Sequence, residues 1–235
     1  MTWFNMMGLI STIALLAPII TILALRLAWY KSFPALLAYY AVVFVYNLLT
    51  QNFIHLNGSF IYYFGVLNNF LDAPLMLGFM TYFSHTAVFR KRMLLTLPIL
   101  LAFQIILIAF NGFNIKTATI AMGPGILLVI VFAAFFFIRK AKLTIIHQKA
   151  IGKTCMVSAL LFAYGGYAFI YIVYYLMNTP YKVDTYLVYY LVTIFSSIML
   201  ATGIYLERRR VNVLEEIKTT RQELKVIYGG ETATS

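Results

Sequence analysis

Charge is scarce in this sequence. Of 235 residues only 11% are Asp, Glu, Lys or Arg, and only seven are acidic. A water-soluble domain carries about 25% charged residues, so water is a poor solvent for most of this chain. Cysteine is nearly absent. The single Cys155 excludes an intramolecular disulfide, and its place in an apolar run reads as a buried, inert thiol. Histidine is scarce too. His55 falls toward one membrane face, with His85 and His147 toward the other, so the three cannot meet around one ion. No histidine lies where it could serve as base to Ser196, Ser197 or Cys155. No lysine falls within 194–200, where a retinal Schiff base would need one. No glycine-rich phosphate loop or Cys/His metal spacing is present. These absences argue against an enzyme, a cofactor and a metal centre.

What is abundant is apolar. The chain is 63% hydrophobic, with mean hydropathy +0.87. A bilayer core of ~30 Å needs roughly 20 apolar residues per helix. Seven runs qualify, at 8–29, 33–52, 61–84, 93–111, 117–138, 153–177 and 185–206. Residues 1–7 lack a positive charge and the first run is too long for a signal, so no cleavable signal peptide is expected. The pattern predicts an all-α membrane protein, with a seven-helix transmembrane domain over 1–206 and a helix with a short tail over 207–235.

The net charge of +11 does not point to nucleic acid, because the basic residues sit between apolar runs. Arg26 and Lys31 flank the first connection, Arg90, Lys91 and Arg92 fill the third, and Arg139, Lys140, Lys142, Lys149 and Lys153 fill or border the fifth. Arg208, Arg209 and Arg210 follow the last run, whereas the alternate connections carry only Lys116 and Lys182. The positive-inside rule then puts the N-terminus outside and the C-terminus in the cytoplasm, and seven spans agree. The expected location is a bacterial inner (plasma) membrane. Trp3 and Phe4, with Trp29 and Tyr30, would anchor the first helix at both interfaces. Asn57-Gly58-Ser59 fits the glycosylation triplet, but nothing else points to a glycan.

Six acids lie at or beyond run ends: Asp184, Glu207, Glu215, Glu216, Glu223 and Glu231. Asp72 stands near the middle of the third run, where a charge costs about 2.5–3.5 kcal/mol and needs a partner, water or a proton. Pro74 follows it and leaves the Phe70 carbonyl without its helical donor. Asn47, Gln51, Asn52, Asn68, Asn69 and Gln104 fall in the outer half, and Thr193, Ser196 and Ser197 approach the level of Asp72. Tyr164, Tyr167, Tyr171, Tyr174 and Tyr175 recur at helical spacing, and Gly165 and Gly166 allow a close helix contact beside them. The candidate ligand site is therefore Asp72, Asn68, Asn69, Asn47, Gln104, Tyr164, Tyr167, Ser196 and Ser197. The alternative is a neutral Asp72 bonded to a neighbouring helix as structural glue.

Beyond Glu207, residues Val213, Ile217, Thr220, Leu224 and Ile227 form an a/d seam. An amphipathic helix on the inner leaflet would carry the same pattern. Together, the 61–74 stretch, the aromatic sixth and seventh runs and the 207–224 extension resemble the seven-helix sensor modules that precede histidine kinase domains in bacteria. They also resemble uncharacterised bacterial seven-helix proteins of similar length. The resemblance implies that the helical extension passes movement to an effector, and with the outer-half pocket around Asp72 the leading expectation is a receptor or sensor for a small or amphiphilic ligand that signals through the seventh helix. Its partner would be a separate cytoplasmic signalling protein or a second copy, met through 207–228. A small proton- or ion-coupled transporter and a membrane scaffold are the alternatives.

Overall fold

The computed structural model describes residues 3–51, 53–54, 56–84, 86–147, 150–173 and 182–229. Their regular elements are all helical. The seven helices are α1 (Trp3–Ala24), α2 (Phe33–Thr50), α3 (Gly58–Met80), α4 (Ala87–Asn111), α5 (Ile115–His147), α6 (Ile151–Tyr171) and α7 (Lys182–Gly229), with a 3-10 turn at Thr81–Phe83 after α3. Six of them are long and apolar enough to cross a membrane, which indicates an integral membrane protein. α3 is the one left out. Its 23 residues span about 34 Å, but Asn68, Asn69 and Asp72 dilute its apolar surface.

The helices close into a ring in the order α1, α2, α3, α5, α6, α7, with α4 packed outside against α3 and α5. α4 is accordingly the least buried of the apolar helices. The helix that carries Asp72 is thus flanked on three sides by α2, α4 and α5. A helix satisfies its own backbone groups, so side chains decide how closely neighbours approach. At Gly152 a Cβ would meet the backbone of Glu207, and at Gly203 it would meet Met156 at 2.7 Å, which brings α6 onto α7. Of the two glycines expected at a close contact, Gly166 lies against Val192, whereas Gly165 faces open space.

Helix ends depart from the apolar runs in three places. α1 stops at Ala24 rather than near Trp29, because Arg26 takes left-handed backbone at φ 53°, and Lys31 does so at 49° just before α2. α5 continues through Arg139, Lys140 and Lys142 to His147, and α4 already contains Arg90, Lys91 and Arg92. Lys and Arg are good helix formers. Their arrival marks the end of an apolar span without ending the helix. The glycosylation triplet has a local role, with Asn57 capping α3 by accepting from the Ser59 amide at 3.2 Å.

The two ends of the ring differ in charge. At one end Gln51 bonds to Gly8 and Thr12, and Tyr62 bonds to Ile115. Lys116 lies there. At the other end Lys31, Lys153, Tyr82 and Glu207 meet, and Phe89 at the start of α4 stacks on Phe135 of α5. The remaining clusters of Lys and Arg in the described helices belong to this second, basic end.

Candidate ligand or ion site

Asp72 faces the inside of the ring. The Tyr164 hydroxyl donates to its Oδ1 at 3.1 Å, and the Tyr39 hydroxyl faces the same carboxyl. Around them, Tyr40 faces Ser197, Tyr167 faces Thr193, and Tyr189 faces both Thr193 and Asn47. Tyr167 and Tyr189 stack with ring centres 5.9 Å apart. Asn47 Nδ2 also donates to the Val43 carbonyl at 2.9 Å. Helices α2, α3, α6 and α7 thus bring one carboxyl, five phenols, an amide and several hydroxyls together.

The hydroxyls are not all satisfied. Thr193 Oγ1 and Ser197 Oγ are buried and close no hydrogen bond of regular geometry, while Ser196 donates to the Thr193 carbonyl at 3.2 Å. Their phenol neighbours Tyr40, Tyr167 and Tyr189 face them without closing regular bonds, and a buried hydroxyl left in that state has capacity for a water or a ligand. The adjoining cavity is about 10 Å³ and is lined by Tyr39, Tyr40, Tyr164, Tyr167, Ser196 and Ser197 among others. That is room for about one water. Anything larger requires the helices to separate.

Among the described residues, polar groups continue from this centre toward the end away from Glu207. Asn47 and Tyr189 lead toward Gln51, Thr12 and the Gly8 carbonyl, with Gln51 Nε2 bonded to the last two at 2.7 and 2.9 Å. Toward the basic end the interior is filled by Leu36, Met76, Leu77, Met156, Val157 and Leu200, all buried. The site is a polar half-column above an apolar plug.

Of the nine residues expected in a ligand site, the structure brings Asp72, Asn47, Tyr164, Tyr167, Ser196 and Ser197 together. Asn68 and Asn69 lie one helical turn from Asp72 on α3 and are half-buried. Gln104 lies elsewhere. Its Nε2 donates to the Phe70 carbonyl at 3.1 Å, the group that Pro74 deprives of a helical donor. It stands on α4, outside the ring, beside the small cluster of Val66, Phe70, Ala118 and Ala121. Sequence reasoning missed Tyr39, Tyr40 and Tyr189 as site members. Tyr39 and Tyr40 stand near the middle of α2, which was the available signal. Asn52, His55, His85, Tyr174 and Tyr175 lie outside the described residues.

A second polar cluster sits at the basic end. Glu207, expected to begin a solvated extension, is 2% exposed. Arg210 donates to it from Nη2 and Nε at 2.9 and 3.2 Å, Lys153 Nζ lies 3.4 Å away, and Tyr82 donates at 3.4 Å. Lys153 and Lys31 also lie over the Tyr82 ring, at 4.9 and 5.8 Å from its centre. Lys140, 1% exposed, is within electrostatic reach of Glu207 and Lys153. Asp72 is therefore not the one interior acid. Position along the chain hid Glu207, because α7 passes the end of its apolar run while still packed against α6.

No protein family, curated protein or solved structure matches the chain.

Proposed function

We propose that this chain is a seven-helix membrane receptor or sensor, with its N-terminus outside and its basic end in the cytoplasm. The half-column around Asp72 takes a small or amphiphilic ligand from the outer side, and α7 carries the response inward. One observation carries the reading. α7 is a single helix of 48 residues that supplies Tyr189, Thr193, Ser196 and Ser197 to the upper cluster and Glu207 to the lower one. A tilt or shift of α7 at the ligand therefore reaches the basic end without a joint. The chemistry of the site, one carboxyl amid phenols with no Lys or Arg among its described residues, suits a ligand that presents a cation or several donors. A ligand drives such a device only by binding one state more tightly than the other. Beyond Glu207, Val213 and Ile217 are exposed apolar residues on the expected seam and supply a contact for a cytoplasmic partner or a second copy.

The test is the thermal stability of the purified chain titrated with short alkylammonium ions and with dodecylamine. The wild type should be stabilised, and Asp72→Asn should lose that response while keeping its helical content. Equal responses would remove Asp72 from a ligand site.

A small proton- or ion-coupled transporter is the second reading, favoured by a carboxyl that, among the described residues, is reached by polar groups from the end away from Glu207. Proteoliposome uptake driven by a pH gradient, and abolished by Asp72→Asn, would select it. A scaffold would instead lose function on truncation after Glu207 and be indifferent to Asp72→Asn.

A further inference from the structure

The starts of α4 and ends of α5 form a cationic corner. Arg90, Lys91 and Arg92 on α4 and Arg139 and Lys142 on α5 are all exposed. The two segments are held side by side by Phe89, whose ring stacks on Phe135 at 5.1 Å and meets Phe136 edge-on at 5.7 Å. The sequence has no acid between Asp72 and Asp184, so neither helix supplies a countercharge. A recess of about 350 Å³ opens on the α4 side of this corner, lined by Ser84, Thr86, Ala87, Arg90, Lys91 and Leu94. The Thr86 hydroxyl oxygen accepts from the Phe89 amide at 3.4 Å, and a hydroxyl that accepts can still donate its own proton. One to two turns further along α4 the surface becomes apolar and exposed, with Leu94, Leu95 and Ile99 at 46%, 62% and 62%.

We propose that this recess binds the phosphate-bearing headgroup of an anionic phospholipid, with the acyl chains lying along the outer face of α4. A cluster of cations on two helices that carry no acid calls for an anion. The apolar wall that begins at Leu94 calls for an anion attached to hydrocarbon, and a bilayer leaflet presents that combination at this depth. α4 packs outside the ring and so leaves this surface to lipid. The inference needs only that the bundle sits in a bilayer, and it is independent of any ligand at Asp72.

The full chain, purified in a neutral detergent, is titrated with phosphatidylglycerol and separately with phosphatidylcholine, with bound lipid counted by native mass spectrometry. Phosphatidylglycerol should bind in preference, and Arg90→Gln/Lys91→Gln should weaken it about tenfold or more without changing phosphatidylcholine binding. Lys116→Gln, at the opposite end, should leave both unchanged. Inorganic phosphate at millimolar concentration should not displace the lipid. Equal binding of the two lipids, retention of phosphatidylglycerol by the double variant, or displacement by inorganic phosphate would each overturn the assignment. The substituted residues are exposed, and unchanged helical content in the variant separates lost binding from lost folding.

Discussion

Gln104 Nε2 donates to the Phe70 carbonyl at 3.1 Å, across the α3–α4 interface and four residues before Pro74. A proline inside a helix removes one donor, and in hydrocarbon no water replaces it. The side chain of a helix outside the ring supplies the missing hydrogen bond. Polar residues deep in a membrane protein invite a functional reading, and here one of them serves a neighbour's backbone.

Gln104→Leu should therefore destabilise the bundle by about 1–3 kcal/mol, the cost of a buried acceptor left unpaired. Pro74→Ala restores an amide that can bond to Phe70, so Gln104→Leu should cost less in that background. Denaturant unfolding in detergent of the two single variants and the double variant measures the coupling. Additive effects would show that the contact carries no energy.

Tyr164→Phe removes the hydroxyl that, among the described residues, donates to Asp72 with regular geometry. The expected loss is about 1–3 kcal/mol. Tyr205→Phe, on an exposed tyrosine of α7, should change stability by less than about 0.5 kcal/mol. The same unfolding measurement compares them.

Glu207→Gln leaves Lys153 and Arg210 without their acid. Breaking a buried pair costs about 3–5 kcal/mol. Side-chain exposures of 19% for Lys153 and 35% for Arg210 reduce that to about 1–3 kcal/mol by solvent screening. Glu216→Gln, on an exposed acid further along α7, should be close to neutral. A thermal melt in detergent is sufficient to rank them, and equal effects would place Glu207 in solvent.

Orientation is tested by single cysteines in a Cys155→Ser background. A membrane-impermeant maleimide added to intact cells should label Asn57→Cys and spare Arg92→Cys, with the reverse pattern in inverted vesicles. Labelling of both from one side would remove the alternating membrane topology.

Several features were legible in the residues alone. Apolar runs near 20 residues in length demand helices in lipid, because only internal hydrogen bonds satisfy the backbone there. The basic residues collect at one end of the ring, as their alternation along the chain implied. Asp72 and Pro74 announced themselves by chemical type, and most of the polar residues assigned to their level do meet. Helix ends were less legible, since Arg90–Arg92 and Arg139–Lys142 lower hydropathy while favouring helix.

Which side chains meet was settled by packing. Asp72, Tyr39 and Tyr164 lie on three helices up to 125 positions apart, and only the ring order of α2, α3 and α6 joins them. That order leaves α4 outside and turns Gln104 from a site candidate into a backbone partner. It also keeps α7 against α6 past its apolar run, which buries Glu207. Hydropathy is a property of one segment and periodicity a property of one helix, so both can be read along the chain. Rotation and neighbour choice depend on how small residues such as Gly152 and Gly203 let two helices close, and that exists only in three dimensions.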